Sequence, residues 1–142
     1  MENIVNQQQV FDKSAAHMMK QFAQSKLTDH HRLIDDPSYK GSCSYYGDDG
    51  MKDGIGCLIS DENYSPNLEG YYASSVRVIK ALFASGVAVH KEDMRMITEL
   101  QRIHDYKQPA AWLQQLQRLA QQFKLDDTML ITAAVEYGRI EE

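Results

Sequence analysis

No stretch of this chain approaches the roughly 18 consecutive apolar residues that a membrane-crossing helix needs, so no membrane partner is expected. Basic residues are too few for a nucleic-acid or anionic-lipid surface: 15 Lys and Arg stand against 20 Asp and Glu, a net charge of −5. Direct nucleic-acid binding is therefore not expected, and an acidic protein meets basic protein surfaces more naturally. Cysteine is nearly absent. Cys43 and Cys57 are the whole supply, neither lies in a Cys-x-x-Cys pair, and the start "MENIVNQQQVFDKSAAHMMKQF" has Glu2 and Asp12 where a signal peptide would be basic and then apolar. Both thiols are expected to be reduced, in a cytoplasmic protein. Also missing are a Gly-x-Ser-x-Gly elbow, the Walker and dinucleotide glycine patterns, internal repeats and low-complexity linkers. What is present, 43% hydrophobic residues in a chain of 142, suffices for one ordinary core without disulfide or metal, and a single domain over residues 1–142 is expected.

The apolar spacing is mostly helical. Phe11, Ala15, Met18 and Phe22 recur at intervals of four, three and four and predict a helix over about residues 7–25. Residues 26–42, with two aspartates before Pro37 and then Gly41, read as an exposed loop that could carry function. In "CSYYGDDGMKDGIGCLISDENY", Cys43, Tyr45 and Gly47 alternate with Ser44 and Tyr46, and Asp49-Gly50 offers turn chemistry, so a β-hairpin is expected over about 43–58. "SDENYSPNLEG" suits one or two helical turns. A short helix capped by Ser74 or Ser75 is expected to bury Val76, Ile79 and Phe83, and the next to bury Met94, Ile97 and Leu100. Pro109 opens a further helix with Trp112, Leu116 and Leu119 inward, and Asp126 or Asp127 starts a last one through Leu130, Ala134 and Tyr137. The expected fold class is α+β and predominantly helical, with about five helices around one small antiparallel hairpin. Phe22, Met18, Ile79, Phe83, Leu100, Trp112, Leu116 and Leu130 are the expected core.

The unusual chemistry gathers in the hairpin stretch. Cys43 and Cys57 could face each other across it, yet two more ligands at zinc spacing are missing, so no metal and no cofactor is expected. Asp48, Asp49, Asp53, Asp61 and Glu62 do not follow the alternate-position pattern of a calcium loop; the first two suit a turn, and Asp61 and Glu62 the first turn of a helix. Gly54 and Gly56 most simply mark a place where another chain segment packs closely. His104 with Asp105 could be a base and its orienter, against the commoner role of a histidine at a helix end. Tyr45, Tyr46, Tyr64, Tyr71 and Tyr72 beside these carboxylates make a candidate binding surface, because aromatics supply rigid contact area.

The pattern Cys43-x-Tyr45-x-Gly47-x-x-Gly50-x-Lys52-x-x-x-Gly56-x-Leu58-Ile59-x-Asp61, followed by Tyr64 and Glu69-Gly70, resembles a group of small proteins encoded by bacteriophages and prophages. "FDKSAAHMMKQ", "LQRIHD" and Trp112 extend the resemblance over most of the chain. Such proteins often carry a second Cys directly after the lysine, where this chain has Asp53, and the departure weakens any thiol or metal role. The resemblance implies a phage-type accessory protein acting in the bacterial host cytoplasm, of a kind that often antagonises host defence. The leading expectation is a protein that binds a host protein without catalysis, an anti-CRISPR-like inhibitor of a nucleic-acid-binding defence nuclease complex. Its expected binding residues are Tyr45, Tyr46, Asp48, Asp49, Lys52, Asp53, Asp61, Glu62 and Tyr64. The alternative is a small-molecule-binding or sequestering protein with a pocket around Cys43, Cys57, His104 and Asp105; a Cys or His-Asp hydrolase is the third reading.

Overall fold

The computed structural model describes residue 4 and residues 6–140. Helix α1 (Gln7–Gln21) begins where the Asn6 side chain accepts the Gln9 N–H, and it buries Val10, Phe11, Ala15, Met18 and Met19. It stops short of residue 25, because Phe22 takes a left-handed conformation (φ 48°) and returns its N–H to the Met18 carbonyl. The Phe22 ring then meets Trp112 edge-on, with centroids 6.3 Å apart, and lies beneath the Arg139 guanidinium.

The expected loop carries structure of its own. Strand β1 (Lys26–Leu27), a short helix α2 (His30–Asp35) capped by Asp29, and strand β2 (Ser42–Cys43) follow, with Lys26 opposite Cys43 and Leu27 opposite Ser42 in an antiparallel pair. The small antiparallel sheet thus exists, but it joins the ends of the 26–42 segment, and no ladder forms over 43–58. Within that stretch one isolated bridge, Tyr46 to Lys52, spans a turn whose Asp49 and Gly50 both have positive φ. The second strand fails at Asp53. Its carboxylate accepts the N–H groups of Ile55 and Gly56, offering the backbone a local alternative to a ladder, and the chain curls into a 3₁₀ turn at Gly56–Leu58.

Two more 3₁₀ turns, Asp61–Asn63 and Pro66–Leu68, fill the segment expected to hold one or two helical turns. Helix α3 (Val76–Ala84) is capped by Ser75 and buries Val78, Ala81 and Leu82. Its other apolar stripe, expected inside, faces out: Val76 and Phe83 are exposed, and Ile79 is only half-buried. Helices α4 (Met94–Tyr106), α5 (Pro109–Gln122) and α6 (Thr128–Glu136) complete the bundle, α1 lying along α6 and α4 along α5. Met18, Leu100, Trp112, Leu116 and Leu130 are buried as expected. Among the described residues, six α-helices and one two-stranded sheet make a predominantly helical α+β fold. Among the described residues no helix is long and apolar enough to cross a membrane.

The glycines of "DGIG" have the close-packing role read from the sequence. A Cβ on Gly54 would lie 2.5 Å from Ser14 Oγ, and one on Gly56 would run into the Tyr45 carbonyl. Backbone cannot yield there as a flexible side chain could. Gly56→Ala should therefore destabilise the protein by about 3 kcal/mol, the cost of overpacking a rigid site. Urea unfolding that places the variant within 0.5 kcal/mol of wild type, a difference of about the size surface changes give, would contradict this contact.

Candidate functional site

A cleft of about 440 Å³ opens between residues 43–45, Asp53, the 69–72 turn and the face of α4 from Thr98 to Tyr106. Its wall is fixed by side chains that complete backbone hydrogen bonds. Glu69 accepts the N–H groups of Tyr45 and Tyr46 and the hydroxyl of Tyr64. Gln101 on α4 accepts the Ala73 N–H and donates to the Tyr45 hydroxyl, which itself donates to the Tyr71 carbonyl. Tyr45 is thus buried wall, while Tyr71, Tyr72 and Tyr106 stand exposed around the mouth.

Cys43, His104 and Asp105 meet at one end, where one ligand-type atom from each lies within 4.8 Å of the others. The hydrogen bonds of His104 decide what this group can do. Its Nε2 accepts the backbone N–H of Ser25 at 2.9 Å, so Nε2 carries no proton, and its Nδ1–H donates to Asp105 Oδ1 at 2.7 Å. The ring is a neutral Nδ1–H tautomer with both nitrogens engaged, stacked on Trp112 at 5.4 Å. A metal at Nδ1 would have to displace that proton while Nε2 still faced an N–H, leaving an imidazolate, and a general base would need a free lone pair that the ring does not have. Burial, then the Asp105 charge, push the Cys43 thiol up to about 11, and burial pushes Cys57 up to about 12. Cys57 instead donates to the Gly54 carbonyl, and both cysteines are free. This corner is built for packing.

Asp53 is different. It is 1% exposed, one carboxylate oxygen holds the Ile55 and Gly56 N–H groups, and the residue forms part of the cleft floor. The second oxygen receives no donor from the described residues. Burial raises its pKa to about 7, with the Asp105 charge acting in the same direction and the two N–H donors opposing.

The remaining expected residues form a brace beside the cleft. Tyr46 and Tyr64 stack face to face at 3.9 Å, Lys52 sits 4.5 Å over the Tyr46 ring, and Asp61 receives both Lys52 Nζ and the Tyr46 hydroxyl. Asp48 holds the Thr28 N–H and hydroxyl across the turn. Asp49 and Glu62 stay exposed. No family model, no curated protein and no solved structure matches this chain. Its function has to be argued from these residues. Glu69, Gln101, Arg102 and Tyr106 belong to the cleft and are not among the expected site residues; Glu69 sits in the Glu69-Gly70 step and Gln101 and Arg102 in the "LQRIHD" quoted above, but as residue types on a helix Gln101 and Arg102 look like an ordinary outer face.

Two outcomes follow from the titrations. At pH 8, Ellman's reagent should label the exposed Cys43 about 100-fold more slowly than a free thiol of ordinary pKa, faster toward pH 10, and the half-buried Cys57 more slowly still until the protein unfolds; rapid labelling at pH 8 would refute the raised thiol pKa. Asp53 binds its proton more tightly folded than unfolded, so its contribution to stability is fully present below about pH 4 and is lost as pH rises through about 7. Asp53→Asn should therefore stabilise the protein at pH 8 by up to ~4 kcal/mol and change it little at pH 4, measured by urea unfolding at both pH values.

Proposed function

We propose that the protein is a noncatalytic binding protein of phage type that recognises a basic host protein through the cleft and the tyrosines around it. The single observation that carries this reading is His104 with both nitrogens engaged: this histidine, grouped with Cys43 and Asp105, has no free nitrogen to serve as base or nucleophile activator, so the hydrolase reading loses its chemistry there. What is left is recognition. Tyr72 and Tyr106, each 77% exposed, supply the aromatic contact area that concentrates binding energy, and the net charge of −5 favours and steers a basic surface. A nucleic-acid-binding defence nuclease in the host cytoplasm has such a surface, and blocking it requires no reaction.

The small-molecule reading is favoured by one observation, the cleft volume of about 440 Å³, which falls within the range of ordinary ligand pockets. The test is capture from lysate of the natural host with wild type and with a Tyr72→Ala/Tyr106→Ala double variant, alongside native mass spectrometry of the protein from infected cells. The expected result is one basic partner, lost at least tenfold in the variant and released by salt. Equal capture by the variant, or a retained metabolite with no partner, would overturn the protein-binding reading.

A further inference from the structure

The cleft floor holds a carboxylate that the fold leaves half-satisfied. Asp53 is almost wholly buried, only its Oδ1 receives donors among the described residues, and the residue is one of those that line the cleft. A buried carboxylate normally has all its acceptor sites filled, because stripping water from a charge is costly unless donors replace it. Three carboxylates, Asp53, Glu69 and Asp105, line this space against one guanidinium, Arg102. Glu69 is spent on two backbone N–H groups and a tyrosine hydroxyl, and one Asp105 oxygen is spent on His104. Arg102 is largely exposed and lies 3.5 Å from Glu99, one turn back on α4, so its charge is directed at a partner of its own. The unmet electrostatic demand is therefore negative and sits at Asp53.

The mouth supplies the complement. Tyr71, Tyr72 and Tyr106 present rings to anything entering, and Arg77 already stands 4.9 Å over the Tyr71 ring. A cation next to an aromatic face and ending on a desolvated carboxylate gains from both. A neutral apolar group gains nothing from the oxygen it would cover. An anion would meet three carboxylates.

We propose that this cleft receives an organic cation, an ammonium or guanidinium group, whose charged end completes the hydrogen bonding of the free Asp53 oxygen while its stem passes between the mouth tyrosines. The inference rests on the binding reading above: the natural source is a lysine or arginine side chain inserted from the basic partner, and a free polyamine would offer the same chemistry. The burial of Asp53 at a cost to the folded protein accords with this role, since an asparagine would keep the Ile55 and Gly56 bonds without a desolvated charge.

The experiment is an NMR titration at pH 8 of ¹⁵N-labelled protein with Nα-acetyl-lysine amide, Nα-acetyl-arginine amide, spermidine and the neutral Nα-acetyl-norleucine amide, followed at the Ile55 and Gly56 amides bonded to Asp53. The cationic amides should shift both signals saturably, norleucine amide should not, and Asp53→Asn should weaken the cation at least tenfold while staying folded. Equal shifts from norleucine amide, or undiminished affinity in Asp53→Asn, overturn the cation site. Failure of Asp53→Asn to fold is met by Tyr72→Ala/Tyr106→Ala, exposed positions at which affinity must also fall. If spermidine alone binds, the cation site stands and the inserted side chain does not. If no cation binds while host capture still depends on Tyr72 and Tyr106, this inference fails and the binding function stands; cation binding without any captured partner gives the reverse.

Discussion

Between β2 and α3 the chain runs for some thirty residues with almost no regular structure, and every buried N–H and C=O along it still needs a partner. Turns within the segment and Glu69 supply many of them, and helix side chains supply others. The Gln21 amide on α1 treats Lys52 as a neighbouring strand would, accepting its N–H at 3.0 Å and donating to its carbonyl at 2.8 Å. His17 makes a second contact to the same carbonyl, Ser85 at the end of α3 accepts the Ser60 N–H, and Gln101 on α4 accepts the Ala73 N–H. Gln24 covers carbonyls at the C-terminal end of α4, closing the same interface from the other side. An irregular segment held in this way takes its geometry from the helices, so a cleft between them can be rigid without a sheet to frame it.

That arrangement splits the acidic and aromatic stretch into two parts with different roles. Tyr46, Tyr64, Lys52, Asp61 and Glu69 are bonded to one another. The Lys52–Asp61 ion pair adds little on its own, because the Asp61 side chain is 82% exposed and water screens it. Stacking of Tyr46 on Tyr64, of order 1 kcal/mol beyond the area buried, and the tyrosine bonds to Glu69 contribute more. Tyr45 and Asp53 face the other way and share the cleft with Asp105 and its neighbours on α4. The two parts meet at the Tyr45-Tyr46 step, where Glu69 takes consecutive N–H groups with its two oxygens.

Sequence period located most of the helices, because Phe11, Met18, Leu100, Trp112 and Leu116 sit at spacings that only a helix puts on one face. It misjudged α3 for a physical reason: with only Arg77 and Lys80 polar, "VRVIKALFA" has an apolar arc broad enough to contain both Val76-Ile79-Phe83 and Val78-Ala81-Leu82, and tertiary contact chooses between them. The hairpin was misplaced because alternation and an Asp-Gly turn describe the Tyr46–Lys52 bridge and the turn it spans but carry no information about Asp53, whose carboxylate pulls the returning chain into a 3₁₀ turn. The cleft was half legible. Cys43, Asp53, His104 and Asp105 stood out by residue type, and their juxtaposition required the pairing of α4 with residues 43–53. Gln21, Gln24 and Gln101 were silent in the sequence, since a glutamine on a helix looks the same whether it faces solvent or completes another segment's backbone.

The buried polar groups show why Asp53 stands apart. Ser44, Ser85, Asp93 and His104 all have partners. The hydroxyls of Ser14 and Ser25 have none among the described residues, but each is closed in: Ser14 faces Gly54 and Ser25 faces Gly47, so closely that a Cβ on either glycine would fall within 2.6 Å of the hydroxyl. Nothing can enter there, and each unpaired hydroxyl costs about 1–3 kcal/mol whatever is bound elsewhere. Asp53 is incomplete too, but it lies in the lining of the cleft. Its deficit depends on what occupies the cleft, falling when a donor arrives and falling most when that donor is charged. The oxygen that destabilises the empty protein is therefore the one from which an entering cation gains most, a coupling between folding cost and recognition that none of the other buried polar groups can provide.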